Sequence, residues 1–371
     1  MNPNRLMSLF FELVRIESPS RHEAAMAARC AEELCDLGFS VRFDDSAART
    51  GSDTGNLIAH LPGTVAGALA LSAHLDTVRP CAGIEPVVEG GAVRSAGDTI
   101  LSADDKAGVA AILEGVRCAV EADAPRPDIT VLLTTCEELH LLGSSALNAS
   151  ELPAGAPCYV LDADGAPGTV IVGAPCHWAF SARFAGRAAH AGVAPEEGVS
   201  AIAMAAAAVD AMPLGRIDEA TTANVGTIRG GRETNVVPDA CEITGECRSL
   251  APERAEGQKA AMTAALRDAA ARFGGSVEVE WTKSYDAVRY AEDDEPVRRA
   301  VAAARAAGLE PRLRRSGGGA DANVLCARGV PALTLGIGME AYHSTDERIA
   351  VSDLEGTARL VEALIAQSAK G

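Results

Sequence analysis

With 371 residues, 48% of them hydrophobic, the chain exceeds what one core usually holds, and at roughly 150 residues per domain two domains are expected. The formal net charge of −18 opposes a phosphate backbone, because nucleic-acid binding draws much of its affinity from Lys and Arg neutralising phosphates. Nucleic acid is therefore not an expected partner. No apolar run approaches the ~18 residues of a membrane span, and residues 1–16 mix Arg5, Glu12 and Arg15 into an amphipathic pattern, so a cytoplasmic protein without membrane contact is expected. Ten cysteines include no C-x-x-C pair. Several, such as Cys118, Cys136 and Cys326, lie in apolar segments and read as reduced core thiols.

In chain order, Ser20-Arg21-His22-Glu23 has the form of a capping box and predicts a helix ending at Gly38. Strands are predicted over 39–43, 57–61 and 68–75, the third delivering His74. The Ala, Ile, Leu and Val spacing of 106–120 predicts a helix. A β-rich run over 128–135 leads to Glu137, and a short apolar run over 158–161 leads to Asp162. The pattern then changes. Strand 179–184, helix 197–212, strands 222–229 and 239–248, helix 252–273 and strand 276–283 follow in turn. That βαββαβ order is ferredoxin-like and reads as a second domain, 176–287, inserted into a discontinuous first domain, 1–175 and 288–371. The α/β pattern resumes with a helix over 295–307, a Gly-rich loop over 316–321, a strand over 331–335 and a helix from Asp353.

His74 with Asp76, Asp104-Asp105, Glu137-Glu138, Asp162 and Tyr342-His343-Ser344 each follow an apolar run that reads as a buried strand. Ligands in open α/β sheets bind outside the carboxyl ends of strands, so these side chains can converge on a metal site. His74 and Asp76 are two apart and project the same way, and a carboxylate accepting the imidazole N–H is the usual partner of a ligating histidine. Taken alone, the pair also reads as a strand-end histidine beside a solvated aspartate. Asp104-Asp105 precede a helix, where one aspartate would serve as a cap; a cap does not need two. Glu137-Glu138 follow a largely apolar run where adjacent carboxylates repel and strand propensity is poor. That pair costs stability unless cations compensate.

Together, S-A-H-L-D-T-V (72–78), S-A-D-D-K-A-G (102–108), T-C-E-E-L (135–139), L-D-A-D-G (161–165), A-A-H-A-G-V-A-P (188–195), T-N-V-V-P-D (234–239), G-G-A-D-A-N (318–323) and Y-H-S-T-D-E (342–347) carry a resemblance. The chain resembles the di-zinc exopeptidases that include tripeptidase (peptidase T), glutamate carboxypeptidase and the aminoacylases, and is most similar to the peptidase T-like branch. The resemblance covers nearly the whole chain in order. It implies an α/β catalytic domain on a mixed sheet with an inserted ferredoxin-like lid and dimerisation domain. It further implies one zinc on His74 and Asp162, another on Glu138 and His343, Asp104 bridging them, a cis peptide at Asp104-Asp105, Glu137 as general base, and Asp76 beside His74 in the catalytic set. Asp164 remains open as the alternative to Asp162.

By the same resemblance His190 reaches an active site, often the partner subunit's, to stabilise an oxyanion, and Asn235 and Arg248 bind substrate carboxylate or backbone. A surface-loop histidine and a structural salt bridge are the plainer readings of His190 and Arg248. Peptidase T has an Arg just before its Gly-Gly pair; here that place is Gly317, and the arginines are Arg314 and Arg315. His22, His60, His140 and His177 match no site of the family. The expected reaction is hydrolysis of an amide bond in small peptides with two Zn²⁺ per chain, Co²⁺ or Mn²⁺ being compatible with the ligand types. An N-acyl or N-carbamoyl amino acid amidohydrolase on the same site is the alternative. Outside catalysis, Ser316 to Gly319 before a helix could cradle a nucleotide phosphate, or the metals could only stabilise a binding protein. The Ala-rich helix near 202–212 and a free sheet edge imply a possible homodimer through the inserted domain.

Overall fold

The computed structural model describes residues 1–369. The chain divides into two compact units, one of Met1–Gly173, Arg289–Ser316 and the chain from Ala320, the other of Ala174–Val288 with Gly317–Gly319.

The first unit is built on a mixed sheet. From one edge the strands run Ser40–Phe43, Leu57–Leu61, Asp128–Thr134, Ala68–His74, Cys158–Ala163, Ala332–Gly336 and Thr169–Ala174, and Arg312–Arg315 also pairs with the last of these. The four central strands are mutually parallel, so their carboxyl ends emerge on one side. This direction delivers His74, the residues after Thr134 and Asp162 to a common edge. Both faces of the sheet are covered, which is why the strands read as continuous apolar runs rather than alternating ones. Leu69, Leu71 and Ala73 pack into one core with Leu57, Val131 and Leu133. Ala70 packs into a second core with Ile58, Leu132, Val160 and Leu325.

The first core is closed by helices Pro3–Arg15, Ala103–Glu121, Glu295–Ala306 and Val351–Ser368. Ala103–Glu121 and Val351–Ser368 approach closely: a Cβ on Gly115 would stand 2.5 Å from Val361 Cγ1 and 3.2 Å from the Ala358 carbonyl oxygen. Arg5 anchors the first helix by donating to Glu114 (2.7 Å), whose side chain is buried. A separate four-stranded sheet of Pro86–Glu89, Ala92–Ser95, Arg348–Ala350 and Met339–Glu340 brackets the turn that carries His343. Its strands are of two to four residues, too short for a periodicity to show in the sequence.

The capping box expected at Ser20 does not form. The helix is Ala24–Asp36 and has no side-chain cap. Ser20 Oγ instead donates to Asp76 Oδ2 (2.7 Å), and the Glu23 carboxylate accepts from the backbone N–H of Arg21 (2.9 Å) and Cys136 (3.0 Å). Both side chains are claimed by partners remote in sequence, which a local pattern cannot reveal. The helix expected from residue 106 begins at Ala103, but Asp104 and Asp105 have non-helical backbone angles.

The second unit has the ferredoxin-like order. Its antiparallel sheet runs Gly215–Arg216, Thr221–Gly230, Ala240–Ser249, Cys176–Ala185, Ser276–Tyr285. Helices Ala201–Ala211 and Pro252–Phe273 lie on it, burying Met204, Ala205, Met262 and Leu266 against Phe180, Phe184 and Ile243. Beside strand Thr221–Gly230, on its outer side, the short strand Gly215–Arg216 pairs at Thr222 and Ala223. Among the described residues, no helix is long and apolar enough to cross a membrane.

Leu71 is fully buried in the centre of the parallel strands. Truncating such a side chain loses its transfer energy and leaves a cavity. Leu71→Ala should lower the unfolding free energy by about 2–5 kcal/mol, read as a shifted urea midpoint.

Candidate metal centre

The edge formed by the parallel strands gathers eight of the residues singled out in the sequence, His74, Asp76, Asp104, Asp105, Glu137, Glu138, Asp162 and His343. His74 closes its strand with Nε2 3.0 Å from Asp104 Oδ1 and 3.8 Å from Asp162 Oδ1. His343 Nε2 lies 2.8 Å from Glu138 Oε1 and 3.2 Å from Asp104 Oδ2. Asp104 therefore stands between the two imidazoles, one oxygen toward each. The Asp162 side chain, 9% exposed, stands beside His74, whereas Asp164 is half-exposed and pairs with Arg314 (3.2 Å). The Asp104-Asp105 peptide is cis. Neither aspartate caps the helix that follows: Asp105 Oδ2 accepts the backbone N–H of His74 (3.1 Å).

Asp76 organises the site from beneath. His74 Nδ1 is 2.9 Å from the Asp76 carbonyl oxygen and 3.5 Å from its Oδ1. The same carboxylate accepts the backbone N–H of Glu137 (2.9 Å) and of Glu138 (3.3 Å). The two glutamates thereby differ. Glu138 reaches His343, whereas the Glu137 carboxylate has no hydrogen bond among the described residues.

Charge dominates this place. Burial pushes the carboxyls of Glu137, Asp162 and Asp105 well above the usual carboxylate range, and the neighbouring Asp162 raises Glu137 and Asp105 further. Glu138 is raised by burial as well. For Asp104 burial also acts upward, but hydrogen bonds from His343 and His74 overcome it and hold the group below its ordinary value. Burial would lower His74, yet Asp104 and Asp76 raise it well above an ordinary imidazole. His343 is raised to about 10 by hydrogen bonds to Asp104 and Glu138. Carboxyls this crowded favour a cation beside them, and metal binding to such groups requires them deprotonated.

The donor set fits such ions. Ligand atoms of His74, Asp104 and Glu138 lie within 4.8 Å of one another, as do those of His74, Asp105 and Asp162. Imidazole and carboxylate donors suit Zn²⁺, Co²⁺ and Mn²⁺. The second grouping enlists Asp105 where the resemblance implied Asp104, although one Asp105 oxygen is already bonded to the His74 backbone.

Three expected residues lie in the second unit. His190 and Asn235 are brought together there, both exposed. His190 bridges Val236, and Ala191 N–H donates to the Asn235 carbonyl (2.9 Å). Arg248 grips Glu246 with Nε (2.9 Å) and Nη2 (3.0 Å), and His177 Nε2 is 2.8 Å from the same carboxylate. These partners, His177 first, lower the Glu246 carboxyl to about 2. The Gly-rich loop is followed by a seven-residue helix that opens on buried Asp321, a charge that opposes phosphate.

Sequence reasoning missed Ser20, Glu23, Asp321 and Glu347 as supports of the site. Thr134 Oγ1 donates to Asp321 Oδ2 (2.5 Å). Glu347 accepts three backbone N–H groups around Asp104. The last two stood within noticed motifs, G-G-A-D-A-N and Y-H-S-T-D-E, and two partners of Glu347, Ser102 and Asp104, stood within S-A-D-D-K-A-G, but nothing in the sequence joined them.

Residues 70–367 match the model of peptidase family M20/M25/M40. The chain belongs to this family. It is an enzyme, a peptidase. The YqjE protein of Bacillus subtilis is 43% identical over 371 residues, covering all of both chains. The crystal structure of aminopeptidase PepT from Bacillus cereus superposes with a TM-score of 0.91 at 42% identity, covering 100% of this chain and 99% of that one. That of a tripeptidase from Staphylococcus aureus does so with a TM-score of 0.95 at 37% identity over the full length of both.

Ions that bind the folded site and not the unfolded chain stabilise it by mass action, by about 2.7 kcal/mol at a hundredfold excess over Kd. Dialysis against a chelator should lower Tm, and Zn²⁺ should raise it again in a concentration-dependent way. An identical Tm with and without metal would remove the metal from the account.

Proposed function

We propose that the protein is a di-metal exopeptidase that hydrolyses the amide bond of small peptides, as a tripeptidase or aminopeptidase. The observation that carries this reading is Asp104, a buried carboxylate with one oxygen toward His74 and the other toward His343. His74 and Asp162 would hold one ion, Glu138 and His343 the other, and Asp104 would bridge them. Two Zn²⁺ are the expected ions, with Co²⁺ or Mn²⁺ compatible with the same donors. When bound, such ions polarise a scissile carbonyl and lower the pKa of water toward neutrality.

Glu137 does the proton work. Its carboxylate takes a proton as the water oxygen bonds to the carbonyl carbon, then passes it to the leaving amine as the C–N bond breaks. Asp76 orients His74 and, through the two backbone N–H groups it accepts, the Glu137-Glu138 pair. His190, exposed in the second unit, is assigned the stabilisation of the tetrahedral oxyanion, and Asn235 beside it the substrate backbone. Arg248 would bind substrate carboxylate only by sharing its guanidinium with Glu246. The peptide substrate is favoured over an N-acyl or N-carbamoyl amino acid by the names of the two solved relatives, an aminopeptidase and a tripeptidase.

A homodimer through the second unit is part of the proposal. Strand Thr221–Gly230 leaves its outer edge open beyond Ala223, and Ile228, Ile202 and Val236 are exposed, Ile228 by 52%. A groove of about 490 Å³ between that strand and helix Ala201–Ala211 is lined by Val209, Leu214, Val225 and Ile228. An open edge beside apolar side chains favours pairing across a two-fold axis. Free cysteines throughout fit a reducing, cytoplasmic setting.

Glu137→Gln should retain fold and metal while kcat falls on the order of 10²–10⁴, and Glu138→Gln should lose metal. The measurements are elemental analysis and product detection by mass spectrometry on di- and tripeptide and N-acyl amino acid panels. Equal behaviour of the two variants would overturn the division of roles. Sedimentation of the protein should give a dimer and that of Ile228→Lys a monomer.

A further inference from the structure

Glu347 is a carboxylate with an unusual assignment. Its side chain is buried, 1% exposed, and it forms no salt bridge among the described residues. Oε2 accepts the backbone N–H groups of Leu101 and Ser102, both at 2.8 Å, and Oε1 accepts that of Asp104 at 2.9 Å. Burying a charge without a cation is costly unless several donors hold it, so these three bonds are the reason an acid stands there. Helix capping does not explain it, because Ser102 has a left-handed φ of 63° and Asp104 is non-helical.

The position of Glu347 gives the bonds a meaning beyond local order. It ends the turn that carries His343: Glu347 N–H donates to the Ser344 carbonyl (3.1 Å), and strand Arg348–Ala350 then pairs with Ala92–Ser95. One end of Glu347 is thus fixed by a sheet and the other grips the loop of Asp104. Asp104 and His343 come from segments more than two hundred residues apart, yet their side chains meet at 3.2 Å.

We propose that Glu347 is a positioning residue of the metal centre, which sets the distance between the Asp104 and His343 donors by tying their two loops through a single carboxylate. The inference rests on the ligand reading above. Glu347 touches neither substrate nor ion; it acts through the backbone of Asp104. Outer partners of this kind typically alter metal affinity by 10–100-fold when replaced.

Glu347→Gln isolates the point. A glutamine oxygen can replace Oε2 and keep the bonds from Leu101 and Ser102, but its NH₂ then faces the Asp104 N–H, donor against donor. The loop keeps two of its three bonds and the bridging ligand is released. Competition titration of Zn²⁺ with a chromophoric chelator should show affinity weakened about 10–100-fold, and the rise in Tm on adding Zn²⁺ should shrink relative to the wild type. If Glu347→Gln does not fold, Glu347→Asp keeps both oxygens on a stem one methylene shorter and should show a smaller loss of affinity. Wild-type affinity in the folded variant, with Tm lowered equally in metal-free and metal-loaded protein, would make Glu347 a loop support only. A wild type that itself binds no Zn²⁺ would instead sink the metal centre, an outcome distinguishable in the same titration.

Discussion

Carboxylates crowd the carboxyl ends of the parallel strands, and much of the first unit is arranged around their mutual repulsion. Parallel pairing makes the crowding geometrically unavoidable, because four strands running one way deliver all their following residues to one edge. Burial then makes it costly, since removal from water disfavours every charge that lacks a partner. The structure answers with two devices. Asp76 and Glu347 are saturated by N–H and O–H donors, and Asp104 is flanked by two imidazoles. Glu137 and Asp162 receive neither remedy in full, and their carboxyls are driven upward; burial raises Glu347 as well, to about 7, against its three donors.

Such a site demands backbone that regular structure does not provide. Ser102, Cys136 and His343 all have positive φ, at 63°, 52° and 61°, each within two residues of a proposed ligand or base, or at it. Non-glycine residues in that region are uncommon and cluster where surroundings over-determine them. Here the surroundings can be named. Glu347 holds the Ser102 turn, Glu23 holds Cys136 through its N–H (3.0 Å), and the small sheet brackets His343. The supports are themselves acids, which adds to the negative charge of the edge.

The second unit obeys different physics. Its sheet is covered by helices on one face, so its strands alternate and its exposed face carries charge, as in Ser276–Tyr285. Its polar cluster sets the Arg248 guanidinium against the Glu246 carboxylate, which hydrogen bonds to His177 and Arg248 hold low. A site with matched charges needs no added ion. The contrast between the units is one of charge balance more than of burial.

The sequence by itself determined the central strands and their endings, because a strand covered on both faces must be apolar along its length and the first polar residue marks where it leaves the core. Ala68–His74 and Cys158–Ala163 were legible for that reason, and so were the two-residue spacing of His74 and Asp76 and the oddity of Glu137 beside Glu138. The βαββαβ order of the second unit was legible from its alternation. What only the tertiary structure decided were the pairings across long separations in the chain. Ser20 looked like a helix cap until its hydroxyl was found on Asp76, the Glu246 carboxylate beside Arg248 gave no signal in the sequence, and Glu347 had no reading at all. A hydrogen bond of that kind depends on where two distant backbones meet, and no local periodicity encodes the meeting point.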